Sequence, residues 1–554
     1  MKSKGNNYFF IMILLLYTPI ITFPQECLWS SQAGGTSYDG GGLVATDQSG
    51  NTYITGITKS SPCYFNTDTI QPGLFIVKYD NSGIEQWVRH FNVGSGSNQG
   101  EEGNITFTID IKNEKLLIAG TFYNYLGLPD TTLQGIQNTV FILKMDFNGN
   151  IIWYKTAGGS GDDQAFGITH DDIDNIYICG SNEKDATFNK TTIPRGGYIA
   201  MYDGQGNFVW AKNKFRYFNP YVAGTWYPFT EAAPTYVLYS DNALLINGAV
   251  VNDTIVIDTI TIINNPGFIS SYIASFNMQG DIKWIKLAGG PQGACGSHIA
   301  TDNSNNIFIT GMFTKTGLFG NDTLTQPGDY GDCFIAKYNV NGGLIWATNT
   351  RCSMWAWGWG LASSSDGSVY LSGNFHGTAY FGNTMLTSVS KTDDMFLAKY
   401  ASDGSNIGVR QYGEGGIYSI ALDESSNVCF TGAFKDTLTI GSNTFISHGQ
   451  YDLFAAKCSP ILSGIESPES QSNQLLIYAN PTSGICNITI PMDFQNEKEL
   501  TLFVYDMTGK LVRKVPVKIK DEKLTFDIQA QAKGVYQAVL TNYWKRYTGK
   551  IIFE

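Results

Sequence analysis

The stretch DNSNNIFITG at residues 302–311 decides the fold. Turn-forming residues run into a short apolar strand that stops on glycine. The same phrase stands as DQSGNTYITG (47–56), DIKNEKLLIAG (110–120), DDIDNIYICG (171–180), SDNALLING (240–248), SSDGSVYLSG (364–373) and DESSNVCFTG (423–432). Successive copies lie about sixty residues apart. A second phrase follows each one: LFIVKYD, VFILKMD, YIAMYD, YIASFN, FIAKYN, FLAKYA and FAAKCS. After the first five of these come a glycine turn and a tryptophan: Trp87, Trp153, Trp210, Trp284 and Trp346.

A repeating unit of about four short antiparallel strands is what a propeller blade requires. Solenoid repeats are shorter, and helical ones would show a 3.6-residue period that is absent here. The expected fold is all-β: a seven-bladed β-propeller over residues 27–460, a linker at 461–474 and a small β-sandwich at 475–554. The sixth repeat has lost its tryptophan, with Gly408 and Val409 near the expected place. The seventh stops at Pro460, which cannot donate to a continuing ladder. Its missing outer strand is found at the other end of the chain, where CLWSSQAGG (27–35) matches IIWYKTAGG (151–159). Trp29 therefore belongs to the last strand of the seventh blade, and the exchange closes the ring and removes two free sheet edges.

The register of that closure can be read from the first hairpin, YDNSGIEQW. Gly83 suits the left-handed position of a three-residue loop, which pairs Asp80 with Ile84 and sets Tyr79 opposite Glu85. Transposed to the closing blade, these positions become Cys458 and Cys27. Their Cα atoms should stand about 4.5 Å apart, at the short end of disulfide geometry. The alternative is two unrelated thiols among nine cysteines. Cys179 and Cys429 sit inside the strand phrase and read as buried small hydrophobes. The glycine-rich repeats resemble those of bacterial secreted and surface propellers, a likeness that implies fold rather than activity.

The first residues read as an export signal over 1–23. Lys2 and Lys4 precede an apolar run from Tyr8 to Leu16, too short for a comfortable membrane span. Cleavage is expected between Thr22 and Glu26, and no transmembrane segment is expected after it. Glu26 is a poor neighbour for lipid modification of Cys27, which needs a small residue there. Charged residues are 15%, aromatics 14%, and the net charge is −12. With no basic cluster in the body, a nucleic-acid partner is excluded, because phosphate binding needs concentrated Lys and Arg.

From Leu475 a new alternating pattern begins. Asn480, Pro481 and Gly484 make a turn, Asp506, Met507, Thr508, Gly509 and Lys510 a hairpin, and Gly534, Val535 and Tyr536 open a late strand. Lys550, Ile551 and Ile552 close the chain. In order, spacing and terminal position these motifs resemble the type A sorting domain of type IX secretion cargo, end to end. Ala479 stands where that family more often has proline. The resemblance implies the Sec machinery and the type IX translocon as partners, and a protein secreted or attached to the outer cell surface.

Catalytic motifs are missing from the sequence. There is no HExxH, CxxC, GxSxG or phosphate loop, and the histidines at 90, 170, 298, 376 and 448 show no metal-ligand spacing. No cofactor is indicated. Acidic residues recur in the loops leading into each inner strand, at Asp39, Glu101, Glu102, Asp162, Asp163 and Glu414. Such a ring would hold a cation or form an acid–base pair, unless these are solvated turn residues. Two loops are rich in aromatics: RYFNPYVAGTWYPF, with Tyr217, Tyr221, Trp226 and Tyr227, and MWAWGWG, with Trp355, Trp357 and Trp359 on one side of an extended segment. Exposed aromatics beside polar groups stack on sugars or anchor a protein partner, and the alternative is that they pack an inner strand. Three readings follow: a binding module for carbohydrate or a surface protein, a polysaccharide-acting enzyme with two loop acids, and a structural adhesin or scaffold.

Overall fold

The computed structural model describes residues 27–461 and 475–554, apart from 95–107, 113, 217–231, 251–253, 264–269, 291–292, 329, 391, 492–493, 495–499, 507–510, 518–522 and 542–545. The chain divides into two compact units between residues 466 and 467. Among the described residues no helix is long and apolar enough to cross a membrane.

Each repeat folds as four antiparallel strands. In the first these are Asp39–Thr46, Thr52–Thr58, Gly73–Tyr79 and Glu85–Phe91. Both signature phrases become the two middle strands, such as Ile307–Phe313 and Asp332–Tyr338, buried along almost their whole length. Outer strands such as Ile151–Gly159 alternate between half-buried and exposed, as a half-covered strand should. The seven innermost strands pack side by side in sequence order, and Asp39–Thr46 also lies against the inner half of Asn406–Leu422. Hydrogen bonds bridge that last pair, from Val44 N to Ser419 Oγ (3.1 Å) and from Thr46 Oγ1 to Leu422 O (2.8 Å).

The N-terminal strand Cys27–Ala33 pairs with Asp452–Cys458, the last strand of the seventh repeat, with Cys27 opposite Cys458. Tyr79 stands opposite Glu85, and Gly83 takes a φ of +81° in the hairpin from which that register was transposed. Cys27 and Cys458 form a disulfide with Cα atoms 3.8 Å apart, closer than expected from the ladder. Its sulfur is therefore engaged in a bond other than a lipid thioether. Cys179 and Cys429 are buried free thiols.

The lost tryptophan of the sixth repeat has a physical reason. Four of the five outer-strand tryptophans pack on the hairpin glycine of the following repeat: Trp153 on Gly206, Trp210 on Gly280, Trp284 on Gly342 and Trp346 on Gly404, while Gly149 is met by Arg89, two residues after Trp87. Trp29 packs on Gly83 so closely that a β-carbon there would lie 2.4 Å from its ring. The seventh repeat has no such hairpin, since its third and fourth strands come from opposite ends of the described body. Ile461, fully buried and bonded through its N–H to the Tyr370 hydroxyl (3.1 Å), packs there instead.

The long repeat also has an explanation that the sequence pattern did not reveal. Between second and third strands most repeats insert a short hairpin; that of Ala186–Phe188 with Thr191–Ile193 pairs with the outer strand of the preceding repeat. Thr254–Ile257 and Thr316–Phe319 do the same. In the first repeat Tyr64 bridges Gly34, at the end of the N-terminal strand.

The C-terminal unit consists of a three-stranded sheet (Ile477–Tyr478, Ile485–Thr489, Lys523–Asp527) and a four-stranded one (Leu511–Val517, Leu500–Asp506, Gly534–Thr541, Arg546–Phe553). One buried cluster, including Cys486, Ile488, Phe526, Leu502, Ala538 and Ile551, draws on both sheets.

Candidate functional site

Among the described residues, six of the inner strands carry a β-bulge at the same place in the repeat, after Gly41, Ala165, Pro234, Gly296, Gly358 and Ile417. A bulge leaves one residue out of the ladder and re-aims its side chain. In the last three repeats the residues so released are Ser297, Trp359 and Tyr418. They meet across neighbouring strands and build an inner wall.

Trp357 and Trp359, two apart on the strand Trp355–Ser363, stack in parallel with ring centroids 4.7 Å apart and planes 3° apart. Trp357 Nε1 donates to Ser297 Oγ (2.7 Å), and Trp359 Nε1 donates to Asn374 Oδ1 (2.8 Å). Tyr418 meets Trp359 edge-on at 6.0 Å and is hydrogen bonded to Tyr38, which lies 5.8 Å from Tyr451. All five side chains remain half-buried. On the other flank His298 lies 4.4 Å from Tyr236, and burial pushes its imidazole down to about 4, so the ring is neutral at physiological pH. Trp355 is half-buried and bridges Gly331 through its backbone, apart from this stack.

The predicted acidic ring is distributed differently. Asp39 is fully buried and accepts bonds from Gly35 N, the Thr58 hydroxyl and the Ser60 hydroxyl. It closes its loop from within. Asp163 is likewise buried, accepts from Gly159 N and leaves its second oxygen unpaired. Burial pushes its carboxyl up to about 7. Glu414 adjoins the aromatic wall, where Tyr451 senses its charge, and takes a bond from the Thr392 hydroxyl (2.8 Å) and an ion pair from Lys435 (3.6 Å). Glu102, Tyr217, Tyr221, Trp226 and Tyr227 lie outside the described residues. Among the described residues no three His, Cys, Asp or Glu side chains gather as a metal site.

Asp163 supplies a testable pH dependence. A folded pKa above the unfolded one means the native state holds an extra proton between about pH 4 and 7. Stability from this group is present at low pH and lost as pH rises through about 7. Asp163→Asn is expected to raise stability at pH 8 by about 2 kcal/mol and to leave it nearly unchanged at pH 4. Thermal melts at the two pH values check this.

Sequence reasoning missed Asp393 and Asn374, because the phrase DDMF hides which aspartate turns inward. Asp394 is buried and takes the N–H groups of Val389 and Ser390 (2.8 and 3.1 Å), so Asp393 is left beside the wall. Asn374 Nδ2 donates to Asp393 Oδ2 (3.3 Å).

In the C-terminal unit, the Asn480 amide clamps the final strand from the side. Its Nδ2 donates to Lys550 O (2.6 Å) and its Oδ1 accepts from Ile552 N (2.7 Å). Thr482 N then bonds Ile552 O (2.7 Å), and Ile528 N bonds Gly484 O (2.8 Å). Gly534 pairs with Phe553, Asp506 with Tyr536, and Lys550 with Gln537. Gly509 and Lys510 lie outside the described residues. The motif positions, seventy residues apart, are thus neighbours across one strand.

Residues 476–554 match the family model of the secretion system C-terminal sorting domain. The tail is a type IX sorting domain. Proteins bearing this sorting domain are exported by the type IX system to the cell surface or the extracellular space, and this chain carries it at its C-terminus. No curated protein matches the chain. Among solved structures it is similar to the WD40 domain of Neurospora crassa Pan2, at 8% identity over 78% of this chain and 91% of that one, with a TM-score of 0.40. It is similar also to the Dos1 propeller, at 10% identity over 78% and 95%, with a TM-score of 0.40. Likenesses at this level carry no statement about activity.

Proposed function

We propose that this is an exported binding protein whose seven repeats are the blades of one closed propeller over residues 27–460, and that it holds a carbohydrate on the wall built by Trp357, Trp359 and Tyr418. The observation that carries the reading is the bulge that releases Trp359 from its ladder and sets it against Trp357. A tryptophan kept half-open, with its N–H already satisfied, offers apolar ring surface to a partner without leaving a polar atom stranded. Sugar rings, apolar on one face and hydroxylated at the rim, suit such a wall. Export to the cell exterior places it where polysaccharides are met. A surface protein anchored on the same aromatics is the other ligand class, and an acid pair formed by Asp393 and Glu414 is what an enzymatic reading would use.

A glycan array with the full-length chain tests this. Wild type is expected to retain specific glycans, and Trp359→Ala to lose at least about tenfold in affinity while keeping its circular dichroism spectrum. No retention by wild type sinks the carbohydrate reading. A Trp359→Ala chain that unfolds assigns the ring to packing, and the scaffold reading then leads.

A further inference from the structure

We propose that the wall around Trp359, Asn374, Asp393, Glu414, Tyr418 and Tyr451 selects a glycan carrying an ammonium group. The inference rests on the carbohydrate reading above and adds the charge of the ligand.

Trp359 and Asp393 are joined through one side chain. The Asn374 amide takes the indole N–H on its oxygen and gives its own N–H to the carboxylate. Asp393 and Glu414 are also neighbours, since Gly415 N bonds Asp393 O (3.0 Å) and Thr392 bonds Glu414. Two carboxylates therefore stand beside stacked indoles and the phenols of Tyr418 and Tyr451, both of which sense the Asp393 charge.

The two acids are not equally compensated. Glu414 has Lys435 at 3.6 Å. Asp393 accepts a single long bond from Asn374, and among the described residues no lysine or arginine pairs with it. His376 is near enough to favour its charge, yet the Nδ1 of that ring faces Thr392 O. Glu414 and Asp394 oppose the charge, and burial, the largest influence, lifts the carboxyl to about 6. At neutral pH this is a partly desolvated anion with no lysine or arginine paired to it among the described residues. Such a group is relieved by a cation, and an ammonium is additionally attracted by aromatic faces. Uronates and sulfated sugars would bring like charge to the same place and are disfavoured.

The test measures binding of the full-length chain to glucosamine oligosaccharides in two forms, N-acetylated and N-trimethylated. The trimethylated amine keeps its charge at every pH, so any titration belongs to the protein. At pH 7.5 the charged form is expected to bind at least about tenfold more tightly. At pH 5, with Asp393 protonated, the preference should shrink severalfold. Asp393→Asn should bring the two forms near parity at pH 7.5. Equal binding of both forms by wild type overturns this inference and leaves the carbohydrate reading standing. Binding of neither overturns both. Capture of a lysine-rich peptide in preference to both sugars likewise overturns it. If Asp393→Asn fails to fold, the wild-type comparison between pH 5 and pH 7.5 decides alone, and a constant preference refutes the role of Asp393.

Discussion

Lys457→Ala is expected to destabilise the propeller body by about 3–5 kcal/mol, because it strands a buried charge. Lys457 is fully buried on the last strand of the seventh repeat. Its ammonium meets Asp423 Oδ2 (2.6 Å) in the same repeat, and Gly50 O (3.0 Å) and Asn81 Oδ1 (2.5 Å) in two turns of the first. Burial alone would raise the Asp423 carboxyl, but Lys457 and Asn427 hold it below the usual carboxylate range. Without the lysine that carboxylate has only neutral donors. The variant should therefore become more stable as pH falls and Asp423 takes up a proton. Adding Asp423→Asn to Lys457→Met is expected to recover most of the loss, since removing both charges costs far less than removing one. Chemical denaturation followed by tryptophan fluorescence measures all three. A loss below about 1 kcal/mol for Lys457→Ala would mean that water reaches the pair.

The second large effect concerns the disulfide. Replacing Cys27 and Cys458 together by serine is expected to cost about 2–5 kcal/mol, by freeing a loop of 431 residues in the unfolded chain. The sulfurs hold the N-terminal strand at one end, while its remaining pairs run from Trp29 with Lys457 to Ala33 with Leu453. The double serine variant should still fold, with a lower melting temperature and faster proteolysis at residues 27–33. Reducing agent should reproduce the effect in the wild type and leave the variant unmoved. A reducing agent that changes neither protein would show that the ladder alone fixes the strand.

The Cys27–Cys458 pair was legible because it follows from local rules. A three-residue hairpin fixes its own register, and the repeat copies that register to a place where the two strands come from distant parts of the chain. The sorting motifs were legible for a similar reason, since turn residues announce themselves by type. What the turns could not tell is that Asn480 reaches the last strand through its side chain. The acidic residues misled because sequence gives the place of a carboxylate in a loop but not its direction. Asp39 points inward to hydrogen-bond donors, and Asp393 points to the wall.

By itself the sequence determined the all-β class, the repeated unit, the return of the first strand to the last repeat and the sorting tail. Each rests on periodicity, turn chemistry or motif order, and these act over a few residues at a time. Only the tertiary structure decided the inner wall. Whether Trp357 and Trp359 stack, which strand supplies Tyr418, and that no lysine or arginine among the described residues pairs with Asp393 all depend on bulges and on contacts between strands about sixty residues apart. A bulge changes one residue's direction without leaving a mark in composition. The missing tryptophan of the sixth repeat falls on the same side of the line: its absence was visible in the sequence, but its cause, a seventh repeat with no hairpin glycine to receive it, lies in the packing.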